Sequence, residues 1–208
     1  MMKQIIRSMM FGVALFASGC VSLLPETSPA KPRYNISSVN AEDLAGAPVE
    51  WSLAVEDPRT TRVYDTTKIA VSTAPGKIEY FAGAEWADRA PRLFQTALVQ
   101  SFEDSGRIIA VGDHSAIPVG DFILQTDIRS VQLNVRERQP AVSLSVYGRL
   151  TDGKGKIHAA RLFEATQPAS SDRAEDVIAA FDGAFDRSIT DIVNWVLLEG
   201  DASATAQR

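Results

Sequence analysis

Residues 121–150 read DFILQTDIRSVQLNVRERQPAVSLSVYGRL, and their alternation decides the fold. Apolar side chains at every second position mark a strand with one buried face. Phe122 and Leu124 open the first segment, 121–135, on one parity, whereas Val131, Leu133 and Val135 close it on the other. Side chains of a strand change face when one residue is inserted, so the change of phase predicts a bulge near Arg129 and Ser130. The second segment, 141–150, alternates without interruption, with Val142, Leu144 and Val146 inward and Ser143, Ser145 and Tyr147 outward. Asp152-Gly153 then supplies a hairpin turn, and residues 157–165 return as a third strand.

Upstream, residues 51–55, 68–73 and 77–81 are short strand candidates. The last two are joined at Ala74-Pro75-Gly76 as a hairpin. Pro91, Leu93, Phe94, Ala97, Leu98, Ser101 and Phe102 recur at helical spacing, and Ser105-Gly106 is a stop signal. Residues 107–111 form a further short strand. Downstream, Asp172 and Glu175 have the spacing of a capping box. They precede a helix whose inward stripe is Val177, Phe181, Ala184, Phe185, Ser188, Ile192 and Trp195. The order implies an α+β domain: a mainly antiparallel sheet with two long helices packed on one face. It spans residues 49–198, and a polar C-terminal tail follows at 199–208.

The N-terminus has a different composition. Lys3 and Arg7 precede an apolar run from Met9 to Ala17, too short to cross a bilayer, which takes about 20 apolar residues. Residues 1–19 therefore read as a signal peptide. Ala17-Ser18-Gly19-Cys20 resembles a bacterial lipobox, although leucine is more usual where Ala17 stands. Cys20 is the only cysteine of the 208-residue chain, so it has no disulfide partner within the chain, and lipidation is the expectation. Acyl chains contribute about 0.8 kcal/mol per buried methylene, enough in combination for a stable anchor. Val21 stands where an aspartate would resemble an inner-membrane retention signal, which favours the outer membrane. Residues 20–48 carry Pro25, Pro29 and Pro32 among polar residues and read as a tether. At about 3.3 Å per residue it reaches roughly 90 Å at most.

Loss of the first nineteen residues takes the net charge from −5 to −7. An acidic chain is unsuited to general nucleic-acid binding, which depends on displacing counterions from phosphates. Between Arg129 and Arg161, however, seven basic residues face two acidic ones. Arg136, Arg138 and Arg149 are the candidates for contact with an anionic partner, either lipid headgroups or an acidic protein. The alternative is that these charges guard strand edges against aggregation. Tyr80, Phe81 and Trp86 are either core residues closing the hairpin onto the first helix or a contact surface.

The motifs of nucleophilic, nucleotide-binding and zinc-dependent chemistry, GxSxG, Walker A, GxGxxG and HExxH, do not occur in the sequence. His114, next to Asp113, reads as part of a polar loop, and His158 as a strand residue. Two distant histidines and an acylated cysteine do not make a zinc site. No catalytic residue, metal or cofactor is expected.

The run KIAV, then KIEYFAGAEWADRAPRLFQTALVQSFEDSGRI, then GDFILQTDI and AVSLSVYGRLTD, ends in a helix closing on Ile-Val-Asn-Trp-Val. This order resembles the ABC-type transport auxiliary lipoprotein family (PqiC-like) over residues 45–198. The resemblance implies a periplasm-facing lipoprotein of the outer membrane that accompanies an MCE-type lipid transport system. Its partners would be an MCE-domain protein and, indirectly, an ABC permease and ATPase. Self-association into a ring would suit a docking cap. A lipid carrier is the rival reading and needs an apolar cavity lined by residues such as Phe94, Leu98 and Phe185. A third reading is a tethered regulator of a cell-wall enzyme.

Overall fold

The computed structural model describes residues 30–135 and 139–206. Its elements in chain order are β1 (Arg33–Tyr34), a 3-10 turn (Ala41–Asp43), β2 (Val49–Val55), β3 (Arg59–Thr60), β4 (Lys68–Ala74), β5 (Lys77–Trp86), α1 (Ala90–Ser105), β6 (Ile108–Asp113), β7 (Phe122–Asn134), β8 (Ala141–Asp152), β9 (Ile157–Pro168) and α2 (Ala174–Thr205). All nine strands join one sheet. The architecture is α+β as expected, with a mixed sheet. The long β7–β8 and β8–β9 ladders and the β4–β5 hairpin are antiparallel. The shorter β2–β6, β2–β7 and β4–β7 ladders are parallel.

β7 is the spine. One of its edges pairs along its length with β8, and the other is shared by β2, β3 and β4 in turn. The expected bulge is present: Ile128 faces Val146 and Ser130 faces Ser145, leaving Arg129 as the extra residue. Phe122, Leu124 and Ile128 before it, and Val131 and Leu133 after it, are buried. The insertion thus keeps the helix-facing side apolar through the change of parity.

The helices cover that side. α1 buries Leu93, Phe94, Ala97, Leu98 and Phe102, carries proline in its first turn and ends at Gly106 in the left-handed conformation. α2 buries the whole stripe from Val177 to Trp195. The two helices and β5 meet where Trp86 packs edge-on against Phe181 (5.1 Å) and Phe185 (5.9 Å), with Phe94 6.0 Å from Phe185.

Four expectations are corrected. Part of the presumed tether belongs to the fold: Arg33–Tyr34 adds to β5, and Ile36, Val39 and Leu44 are buried. Ser101 Oγ accepts the Val39 amide at 3.1 Å and Asn194 Oδ1 accepts that of Ala45 at 2.8 Å. These apolar anchors are scattered without period, so pattern reading missed them. The polar tail expected at 199–208 is helical for most of its length, because α2 continues to Thr205. Gly200 is what lets it pass the sheet: a Cβ there would lie 2.4 Å from the Trp51 ring. The capping box does not form. Arg173 is the N-cap and has no side-chain cap, while Ser171 Oγ accepts the Arg173 amide and donates to the Asp176 carboxylate. The β8–β9 turn is also longer than Asp152-Gly153. Gly155 takes the left-handed conformation (φ 81°), and Asp152 Oδ1 accepts the amides of Lys154 and Lys156.

Candidate functional site

The helices leave one side of the sheet open, and the outward residues of β7, β8 and β9 define it. Tyr147 stands at its centre. The Arg149 guanidinium, two residues along the same strand, lies 4.7 Å from the ring centroid, and that of Arg129 lies 4.6 Å away. The bulge that preserves the core therefore also delivers Arg129 to this ring. Among the described residues neither arginine has a carboxylate within ion-pair distance. A guanidinium stacked on an aromatic face keeps its N–H edge available, and that edge matches carboxylate and phosphate oxygens. Asp127, opposite Tyr147, and Glu164, opposite Ser145, share this face, so its charge is mixed and the cations are confined to the two guanidiniums on the Tyr147 ring.

Beside the cluster runs a polar rail. The Tyr64 hydroxyl donates to Gln132 Oε1 (2.8 Å), Gln132 Nε2 to Asn134 Oδ1 (3.0 Å), and Asn134 Nδ2 to Ser143 Oγ (2.9 Å). Burial pushes the Tyr64 hydroxyl pKa up, so Tyr64 remains a donor at neutral pH. The rail ties β7 and β8 to the segment after β3 and fixes the floor of the open face.

Of the expected contact residues, Arg149 falls within this site. Arg136, Arg138 and the lipidation candidate Cys20 lie outside the described residues. Sequence reasoning missed Arg129 as a partner of Tyr147; the signal was its position at the predicted bulge. The aromatic group near β5 divides: Trp86 is buried in the core, whereas Tyr80 is 43% exposed with Lys68 Nζ 5.1 Å from its ring.

The histidines do other work. The His158 side chain is buried, edge-on to Phe122 at 5.4 Å, with Nε2 3.1 Å from Asp152 Oδ2. This hydrogen bond, followed by those from the Lys156 and Lys154 amides, holds the Asp152 carboxyl below its usual pKa. The network clamps the β8–β9 turn. His114 lies in an exposed loop, and its neighbour Asp113 binds Ser115 and Ala116 instead: the Ser115 hydroxyl at 2.6 Å, with the two amides at 2.9 and 3.0 Å. These bonds lower the Asp113 pKa, the Ser115 hydroxyl contributing most. The crevice beside this loop, about 450 Å³, is lined by Glu56, Asp57, Arg92 and Gln95 together with residues 113–115. Ser115 donates its proton to Asp113, and no imidazole stands as its base.

Phe94, Leu98 and Phe185 do not line a lipid cavity but are packed in the core. An apolar surface groove of about 370 Å³ lies elsewhere, between residues 45–49 and Leu197 and Leu198 of α2. Among the described residues no cluster suited to a metal ion is present, and no helix is long and apolar enough to cross a membrane.

Comparison with known proteins gives this architecture a family. The model of the ABC-type transport auxiliary lipoprotein component matches residues 34–193, and the chain belongs to that family. An uncharacterized protein of Bradyrhizobium diazoefficiens is 30% identical over 171 residues; the alignment covers 81% of this chain and 45% of that relative, so the chain spans less than half of its length. The crystal structure of protein XCC0632 from Xanthomonas campestris superposes with a TM-score of 0.74 at 28% identity, covering 85% of this chain and 98% of the other. A hypothetical protein of Chlamydia trachomatis shares the fold at a TM-score of 0.50 and 13% identity, over 75% and 99% of the two chains.

Proposed function

We propose that this chain is an outer-membrane lipoprotein, anchored through acylated Cys20 and facing the periplasm. There it serves as a non-catalytic docking component of an MCE-type ABC lipid transport system. The family match over the folded domain carries the reading. The site chemistry supports it, because the open face offers cationic recognition at Arg129 and Arg149. By sequence, Arg136 and Arg138 add two further cations to that recognition. The partner is an MCE-domain protein with an acidic contact surface, and through it the permease and ATPase of the inner membrane. Lipid carriage through the core is the weaker alternative, since Phe94, Leu98 and Phe185 are sealed from solvent.

The test is Cys20→Ala in cells. The expected outcome is a folded domain released from the outer-membrane fraction into the soluble periplasm. Retention of the variant in the outer membrane would overturn the anchoring role of Cys20.

A further inference from the structure

Among the described residues the sheet has a free edge at β9, which pairs there with β8 alone. Its hydrogen-bonding phase follows from one bond and the register. Pro140 O accepts the Ala169 amide at 2.8 Å, and the ladder runs unbroken from Ala141↔Pro168 to Leu150↔Ala159. Bonded and non-bonded pairs alternate in an antiparallel ladder. The odd-numbered residues from Ala159 to Gln167 therefore spend their N–H and C=O groups on β8. Ala160, Leu162, Glu164 and Thr166 turn theirs outward. Pro168 obeys the same phase, standing where its missing N–H costs the β8 ladder nothing.

Edge strands of this length are normally blunted by bulges, prolines, lysines or a covering element. On β9 the bulge sits at one end, where Leu150 faces Ala159 and Thr151 faces Ile157, and the proline at the other. Between them are nine residues, AARLFEATQ, without proline, glycine or lysine. Arg161 lies back over the Phe163 ring at 5.2 Å, and Leu162 remains 39% exposed. The other free edges are shorter: β6 has six residues and β1 two.

We propose that the outer edge of β9 takes up an extended segment of a different polypeptide as an added strand, with an aliphatic side chain opposite Leu162 and a lysine or arginine opposite Glu164. Main-chain bonds to the four outward residues would supply affinity, and the alternate side chains specificity. The charges argue for a different polypeptide over a second copy. In a two-fold antiparallel pairing only outward residues face outward residues, so Glu164 meets Ala160, Leu162, Thr166 or itself and never a cation. The inference stands whether or not the partner is an MCE-domain protein.

The test places a photo-crosslinking residue at Thr166 of the full acylated chain in cells, and measures amide exchange on that chain alone and in the solubilised complex. Adducts are expected to map to an extended, proline-free segment of another protein. The amides of Ala160, Leu162, Glu164 and Thr166 should slow at least about tenfold in the complex, as exchange reports local opening. Leu162→Pro, which spares the β8 ladder, should abolish the adduct; Leu162→Val should keep it. Should the proline variant fail to fold, Glu164→Lys replaces it and should weaken crosslinking. Adducts only to a second copy, no adduct at position 166, or unchanged exchange at the four amides would each overturn the proposal.

Discussion

On the helix side of β8, Val142, Leu144, Val146 and Leu150 are sealed beneath α2, whereas Ser143, Ser145, Tyr147 and Arg149 on the other side remain partly open. The same strand thus serves two purposes with alternate residues. Its inner row packs against neighbours, so each side chain there is constrained by volume. Its outer row is constrained by what it can hold: a ring with two guanidiniums, a rail of amides and hydroxyls, and a clamped turn. The difference predicts that substitutions on the two rows of one strand act on different observables, stability for the first and association for the second.

The largest effect is expected at the helix–helix contact. Phe94→Ala removes a fully buried ring that packs on Phe185 and should cost about 3–5 kcal/mol in denaturant unfolding. A cost under about 1 kcal/mol would mean that the core around Phe94 is loose, and would revive the cavity reading. On the open row, Tyr147→Ala and Arg149→Ala should each change stability little. Their double-mutant cycle should return a coupling of about 0.5–1 kcal/mol, as for an exposed cation–π pair. The smallest effect concerns the turn. Because the folded Asp152 carboxyl titrates below its usual value, it contributes stability that is full above the ordinary aspartate pKa and is lost as pH falls through the folded value. Asp152→Asn should flatten that part of the acid limb of a stability–pH curve, with the difference from wild type narrowing below about pH 4.

Much of the inner row was legible in the sequence, because burial imposes a period. The helix stripes and the bulge at Arg129 all followed from apolar spacing. What escaped were features without period. Ile36, Val39 and Leu44 are isolated anchors in a polar segment, buried in the core, and the same segment is held by bonds from the Val39 and Ala45 amides to Ser101 and Asn194, more than sixty residues away. Gly200 falls in the stretch read as a polar tail, yet it sits within α2 and leaves room for the Trp51 ring. The site was partly legible. Tyr147 and Arg149 share a parity that placed both outward, but the stacking of Arg129 on the same ring depends on a cross-strand register that spacing alone does not supply. The hydrogen-bonding phase of β9 was likewise invisible until the register with β8 was known.

The docking role is tested most directly by crosslinking the full-length acylated chain in cells and identifying what co-purifies by mass spectrometry. Recovery of an MCE-domain protein with wild type, and its loss when Arg129 and Arg149 are reversed to glutamate in a chain that still folds and reaches the membrane, is the predicted result. Recovery of a peptidoglycan synthase without any MCE-domain protein would contradict the account and favour a regulator of cell-wall enzymes.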